Sequence, residues 1–301
     1  MKARFVYPML ILGLIAGLAV GACGDDGDGG AGTPAADRVR VVTSLEIFAD
    51  MVRNVGGDRV DVDALLPSGA DPHTFELAPN DAADIARADI VLMNGLDLER
   101  SIEDVISNSA ESPVIELAEG LPVIEGGGGA GNPHLWLDAR LGARYAEHIR
   151  DELIAIDPAG SAAYEANAHT YLEQLGDLDR ELEAAVETIP PANRKLVTFH
   201  DAYPYLAARY GLEVVAVVVP SPGQEPSAQA VADLVRKLED ENVPAAFKEP
   251  QFSAEVLEQA ASEAGVRVLD LLSDAYIEGV DSYVELMEFN IRQLQEGLGG
   301  E

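Results

Sequence analysis

The chain has 301 residues, 48% hydrophobic and 24% charged, enough for one large or two medium globular domains with a sizeable core. Its formal net charge of −33 sets 20 basic residues against 53 acidic ones, which argues against nucleic acid or another polyanion as partner and favours a cation. Most of these carboxylates need form only a solvated face, and a halophilic or high-GC source gives the same acidic, lysine-poor composition, so charge alone names no ligand.

The first residues, "MKARFVYPMLILGLIAGLAVGAC", place Lys2 and Arg4 before an apolar run that ends near Val20. That is the layout of a secretory signal rather than of folded structure. A retained membrane span is the weaker reading, because the run is short and holds Pro8 and several glycines. The following Val20-Gly21-Ala22-Cys23 resembles the lipobox of bacterial lipoproteins. The resemblance implies cleavage of residues 1–22 and lipid modification of Cys23, with the protein held at the outer face of the cytoplasmic membrane or in the periplasm. Cys23 is the sole cysteine, so no disulfide within the chain is possible. Residues 24–37, "GDDGDGGAGTPAAD", lack apolar periodicity and read as a flexible tether spanning roughly 20 Å.

The folded part should begin near Arg38. "RVRVVTS" (38–44) reads as a buried strand, and "LEIFADMVRNVGG" after it as a helix stopped by two glycines. A strand at 60–67, a helix at 80–88, a strand at 89–95 and a helix at 99–109 follow. This alternation predicts a parallel sheet with helices on both faces, an α/β fold. Past the Gly-rich stretch 126–131, a helix is expected from Ala139 to about Ile156, where Asp157-Pro158 stops it.

Tyr164, Ala168, Tyr171, Leu175, Leu178, Leu182, Ala185 and Ile189 then repeat at steps of four and three. They predict one apolar stripe on a helix over 160–189, about 45 Å long, ended by Pro190-Pro191. Such a stripe suits a strut packed on its own protein or, alternatively, a coiled-coil dimer. Because the strand–helix pattern resumes directly after it, with strands at 195–199, 213–219, 245–249 and 266–272 and helices from Asp201 and Ser227, the strut is preferred and a monomer expected. The predicted organisation is therefore an N-terminal lobe (38–157), a connecting helix (158–189) and a C-terminal lobe (190–301). Ligands of open α/β sheets bind beyond the carboxyl ends of the strands, so a cleft between the lobes is the expected site.

Three of the five histidines fall in such loops: His73 in "DPHTFE", His134 in "NPHLWLD" and His200 closing "KLVTFH". His148 and His169 lie within helical patterns among polar neighbours and read as helix-surface residues. Asp274 in "LLSDAY" again follows a strand. Three imidazoles and one carboxylate, two from each lobe, suit zinc or a neighbouring divalent metal, and four donors fill a tetrahedral site. Pro72 and Pro133 each precede a histidine and restrict the backbone that presents it.

"DPHTFE", "NPHLWLD", "TFHDAYPYLAARYGLE" and "LLSDAY", in this order, resemble the metal-site segments of the zinc- and manganese-binding receptors of bacterial ABC importers. The resemblance covers nearly all of residues 38–301 and includes the long helix and the lipobox. It implies two lobes joined by one long helix, a buried divalent metal between them and delivery to a membrane permease, with no enzymatic step. Carried over by position, it makes His73, His134, His200 and Asp274 the metal ligands. Glu76 and Asp138 are then candidates to orient ring N–H groups, although Glu76 reads equally as solvated and Asp138 as a helix cap. Glu249 in "FKEPQFS" lies after a strand and competes with Asp274 for the fourth position or supports the site from behind.

Two comparisons sharpen the metal expectation. Manganese-binding members tend to pair two histidines with two carboxylates, whereas this chain offers His200 at one carboxylate position, which favours zinc. Many zinc-binding members carry a His-rich loop before the Asn-Pro-His segment, and here "EGGGGAG" stands instead, which keeps a manganese receptor as the alternative. A zinc-dependent hydrolase is the rival of another class. It would need an open coordination position for water, which four protein ligands deny, and the chain has no HExxH.

Overall fold

The computed structural model describes residues 38–126, 130–220, 222–224 and 226–299. The secretory signal, Cys23, the tether and the centre of the Gly-rich stretch lie outside the described residues. Eight strands among the described residues form two four-stranded sheets, each wholly parallel. The first contains β1 (Val39–Thr43), β2 (Val60–Ala64), β3 (Ile90–Met93) and β4 (Val114–Glu116) in the order β2-β1-β3-β4. The second repeats that order as β6-β5-β7-β8, with β5 (Lys195–His200), β6 (Glu213–Val219), β7 (Ala245–Lys248) and β8 (Arg267–Asp270). Parallel strands need crossover connections, and helices supply them. These are α1 (Glu46–Gly56), α2 (Asp81–Arg87) and α3 (Glu103–Ser109) in the first half. In the second half they are α6 (Pro204–Tyr210), α7 (Ala228–Asp240) and α8 (Glu255–Ala264).

Two of the predicted helix starts move inwards. The helix expected from residue 99 begins at Glu103, because the Glu99 carboxylate turns into the protein to accept the Asn94 N–H (2.7 Å) and the Ser44 hydroxyl (2.6 Å). The one expected from Asp201 begins at Pro204, a residue suited to the first helical position. Strand β4 and helix α8 escaped the sequence reading, as did the last helix, α9 (Tyr283–Leu298).

Between the sheets run α4 (Ala139–Ile156) and the 27-residue α5 (Ser161–Glu187), preceded by one 3-10 turn at Pro158–Gly160. The apolar stripe of α5 is buried from Tyr164 to Ala185 against α1, α4 and α9 of the same chain, so it is the strut and its hydrophobic face is taken up internally. One buried residue of α5, beside the stripe, is charged. Asp179 is buried and accepts Arg209 Nε (2.9 Å) and Nη2 (2.7 Å), the Tyr210 hydroxyl (3.1 Å) and Arg140 Nε (3.0 Å). The connecting helix is thus tied to α4 on one side and α6 on the other. The C-terminal helix adds a second tie, since the Tyr283 N–H donates to Asp50 of α1 (2.9 Å) while α9 also packs on β7 and β8.

Burial pushes the Asp179 carboxyl up, but the hydrogen bonds from Arg209 and Arg140 outweigh it and hold the group below the usual carboxylate range. A carboxylate with a lowered pKa stabilises the fold above its unfolded pKa, about 3.9, and loses that contribution as pH falls further. Asp179→Asn should therefore cost about 1–3 kcal/mol at pH 7. Urea unfolding should show the variant and parent curves drawing together only as pH falls below the unfolded carboxylate value and on through the lowered folded one; equal stability at pH 7 would show that the clamp contributes nothing.

Candidate metal centre

In two parallel sheets facing each other across α5, the loops at the carboxyl ends of the strands meet, as they do wherever open α/β sheets build a ligand site. His73 comes from the loop after β2, His134 from the segment between β4 and α4, His200 from the last position of β5, and Asp274 from the segment after β8. One donor atom from each lies within 4.8 Å of the other three. Among the described residues this is the one such group of three or more side chains able to share a metal ion. The ring centroids of His73, His134 and His200 are 5.0–5.6 Å apart. Nε2 of His134 lies 3.2 Å from Nε2 of His200 and 3.3 Å from Asp274 Oδ1.

The two X-Pro-His loops share one construction. Asp71 Oδ1 accepts the His73 N–H (2.9 Å), and Asn132 Oδ1 accepts the His134 N–H (3.1 Å). These are Asx turns, in which the side chain before proline fixes the residue after it. Asn132 does more, because its Oδ1 is also 3.0 Å from His134 Nδ1, which sets the tautomer that leaves Nε2 facing the other donors. Its amide donates to the Asp201 carbonyl across the cleft (2.5 Å). Behind His200 stands Glu249 as its charged partner, with Oε1 2.5 Å from His200 Nδ1.

Of the two carboxylates that competed for a place among the rings, Glu249 lies wholly buried behind His200, while Asp274 faces the rings, its Oδ1 3.3 Å from His134 Nε2. Asp138 is the cap of α4: its Oδ1 accepts the Arg140 N–H (2.8 Å), and it makes no hydrogen bond to a histidine ring among the described residues. Glu76 is exposed and has no hydrogen bond to a ring either. The expectation that Asp138 and Glu76 orient imidazoles is corrected by this geometry, and Asn132 fills the role beside His134. On α4, His148 donates from its ring Nδ1 to the Leu117 carbonyl (3.1 Å), and His169 lies on an exposed helix face.

The donor chemistry fits a divalent cation. His73 Nε2 and Asp274 Oδ1 are buried without a hydrogen-bond partner, a state that buried polar atoms rarely occupy unless something else satisfies them. A cavity of about 240 Å³, lined by His73, His134, His200, Asn132, Asp201 and Gln224 among others, opens onto the three rings. Burial pushes His73 down to about 3, so its ring is neutral and ready to coordinate. For His200 burial works in the same direction, but Glu249 and Asp274 overcome it and raise the ring to about 9. Asp274, although burial opposes it, is held well below the usual carboxylate range by His134, His200 and His73.

The metal-free protein should consequently carry an imidazolium at His200 at neutral pH. Its raised pKa stabilises the fold below the unfolded value near 6.5, and that contribution is lost as pH rises through about 9. Histidine NMR titration should place one buried ring near pH 9 and keep His73 neutral to about pH 3. An ion bound at pH 7 should then release about one proton; release of none would mean a neutral His200.

The model of the family described as zinc-uptake complex component A, periplasmic (ZnuA), matches residues 41–297. The manganese-binding lipoprotein MntA of Halalkalibacterium halodurans is 29% identical over 99% of both chains. The iron-binding protein YfeA of Yersinia pestis is 30% identical over 88% of each. Among solved structures, the periplasmic zinc-binding protein TroA of Treponema pallidum superposes with a TM-score of 0.82 at 26% identity, covering 87% of this chain and all of that one. Family match, full-length relatives and fold agree: the chain belongs to the ZnuA family of metal-binding receptors of bacterial ABC importers, which are transport proteins and not enzymes.

Proposed function

We propose that this receptor captures zinc between its lobes, with His73, His134, His200 and Asp274 as the ligands, and hands it to the permease of its importer. The observation that carries the reading is the donor set, three imidazoles and one carboxylate gathered within 4.8 Å. Nitrogen-rich tetrahedral sites favour zinc, and affinity rises from manganese towards zinc along the divalent series. Under this assignment Asp274 takes the fourth place and Glu249 faces His200 from behind, so four protein donors leave no coordination position for the water a hydrolase needs. In this reading residues 38–157 and 190–301 are the lobes and 158–189 the strut.

Manganese is the second reading, and it is favoured by the names of relatives such as MntA and by the lack of a His-rich stretch beside Asn132. Competition titration of the metal-free protein with both ions decides between them. Zinc should bind at least ~10-fold more tightly, about 1.4 kcal/mol, and His200→Glu should move selectivity towards manganese. Equal or manganese-preferring binding by the parent overturns the zinc assignment.

We further propose that a lipid on Cys23 anchors the receptor outside the cytoplasmic membrane. Several relatives, MntA among them, are named lipoproteins, and Val20-Gly21-Ala22-Cys23 has the lipobox pattern. Cys23→Ser should accumulate as unprocessed precursor or be shed. Fractionation and migration identical to the parent would remove the lipid anchor.

A further inference from the structure

Ser273 is the residue just before Asp274, and it is completely buried. Its hydroxyl oxygen is 3.0 Å from Glu249 Oε1 and 3.0 Å from Asp274 Oδ2, and it accepts a hydrogen bond from Gln251 Nε2 at 3.2 Å. One hydroxyl thus stands between the carboxylate that orients His200 and the carboxylate that faces the three rings. The backbone carbonyl of the same residue points the other way. It accepts the indole N–H of Trp136 at 2.9 Å, across the seam between the two sheets. Trp136 lies two residues after His134, its ring centroid 5.5 Å from that imidazole, and its own carbonyl accepts the Tyr283 hydroxyl.

We propose that Ser273 is the positioning residue that couples the two halves of the metal site, acting on Asp274 and His200 through its hydroxyl and on the His134 segment through its carbonyl. This rests on the proposed metal site and adds to it the means by which three of the four donors are held together. A hydroxyl has one proton to give, so it serves one of the two carboxylates at a time. A cation on Asp274 takes over part of what that proton does there and releases it to Glu249, which strengthens the group holding His200 in place. Binding at one donor thereby improves the orientation of another. His73, on a half-buried loop, is the donor outside this network. The same loop is tied to the second sheet's side by the Ser68 hydroxyl, which donates to the Tyr276 carbonyl at 3.3 Å.

The test compares the full-length protein with Ser273→Ala, Ser273→Thr and Trp136→Phe, using zinc against a chromophoric chelator and cobalt(II) as a spectroscopic probe. Partners of metal ligands typically change affinity 10–100-fold when removed. Ser273→Ala should weaken zinc by that factor and alter the cobalt d–d bands, with the metal-free urea midpoint little changed, while Ser273→Thr restores both. Trp136→Phe keeps every donor but deletes the indole N–H, and should release zinc to excess chelator about 10-fold faster with the cobalt bands unaltered. A folded Ser273→Ala with parental affinity and spectrum overturns the proposal. Should that variant not fold, parental release from Trp136→Phe overturns the link across the seam. A parent chain that takes up neither zinc, manganese nor cobalt overturns the proposed function itself.

Discussion

Three imidazoles and a carboxylate crowded into a few ångströms of dry protein are an unstable arrangement by themselves. Imidazole nitrogens repel as acceptors or as cations, and a buried carboxylate loses its hydration. In this molecule the mutual attraction of Asp274 and the rings offsets part of that cost, and a cation between them would remove the rest. Everything else about the site serves to hold it open to such an ion. The loops cannot relax away, because Asp71 and Asn132 pin the backbone of the two proline-flanked histidines. The rings cannot rotate freely, because Asn132 and Glu249 occupy their outward nitrogens.

That local rigidity has a use only if the two sheets keep their spacing. A continuous helix does this better than paired loops, since its length is set by its own backbone hydrogen bonds. Here α5 is reinforced by Asp179, which draws Arg140 and Arg209 onto one carboxylate, and by α9, whose first turn is tied to Asp50. The hydrophobic core follows the same logic: one buried cluster runs from Val41 and Phe48 through Tyr164 and Leu182 to Phe247 and Leu294, with no gap at the level of the strut. Smaller clusters remain under the outer faces of each sheet. The lobes share a centre and keep separate peripheries.

How much of this could be read from the sequence depended on whether the signal was local. Proline before histidine, the apolar stripe of α5 and the alternation of strands with helices are local patterns, and the residues that carry them appear where they were expected. The supporting groups were less legible because their role depends on direction. Asp138 is nearer to a carboxylate-on-imidazole pattern than Asn132 is, yet its side chain turns to cap α4 while the amide two residues before His134 folds back onto the ring. Glu76 points to water for the same reason that Asp71 does not: only the residue before the proline is placed by the turn. Strand β4 has three residues, too few to show a period, and Ser273 is indistinguishable in sequence from any serine beside a strand. The α9 face runs through Tyr283, Leu286, Met287, Asn290 and Leu294, and its apolar period is broken by Asn290, a polar residue buried because its amide bonds both backbone groups of Leu272.

Trp136 has one more property, which belongs to optics. It is the only tryptophan in 301 residues, and it sits edge-on to Phe48 at 5.4 Å and beside His134, bonded through its nitrogen to the opposite sheet. Emission excited at the red edge of the band, where the nine tyrosines hardly absorb, therefore comes from a single chromophore, lodged at the seam. Its quantum yield and wavelength respond to the charge on a neighbouring imidazole and to the polarity of its hydrogen-bond partner. The protein carries, without any label, a gauge whose reading follows the state of the cleft.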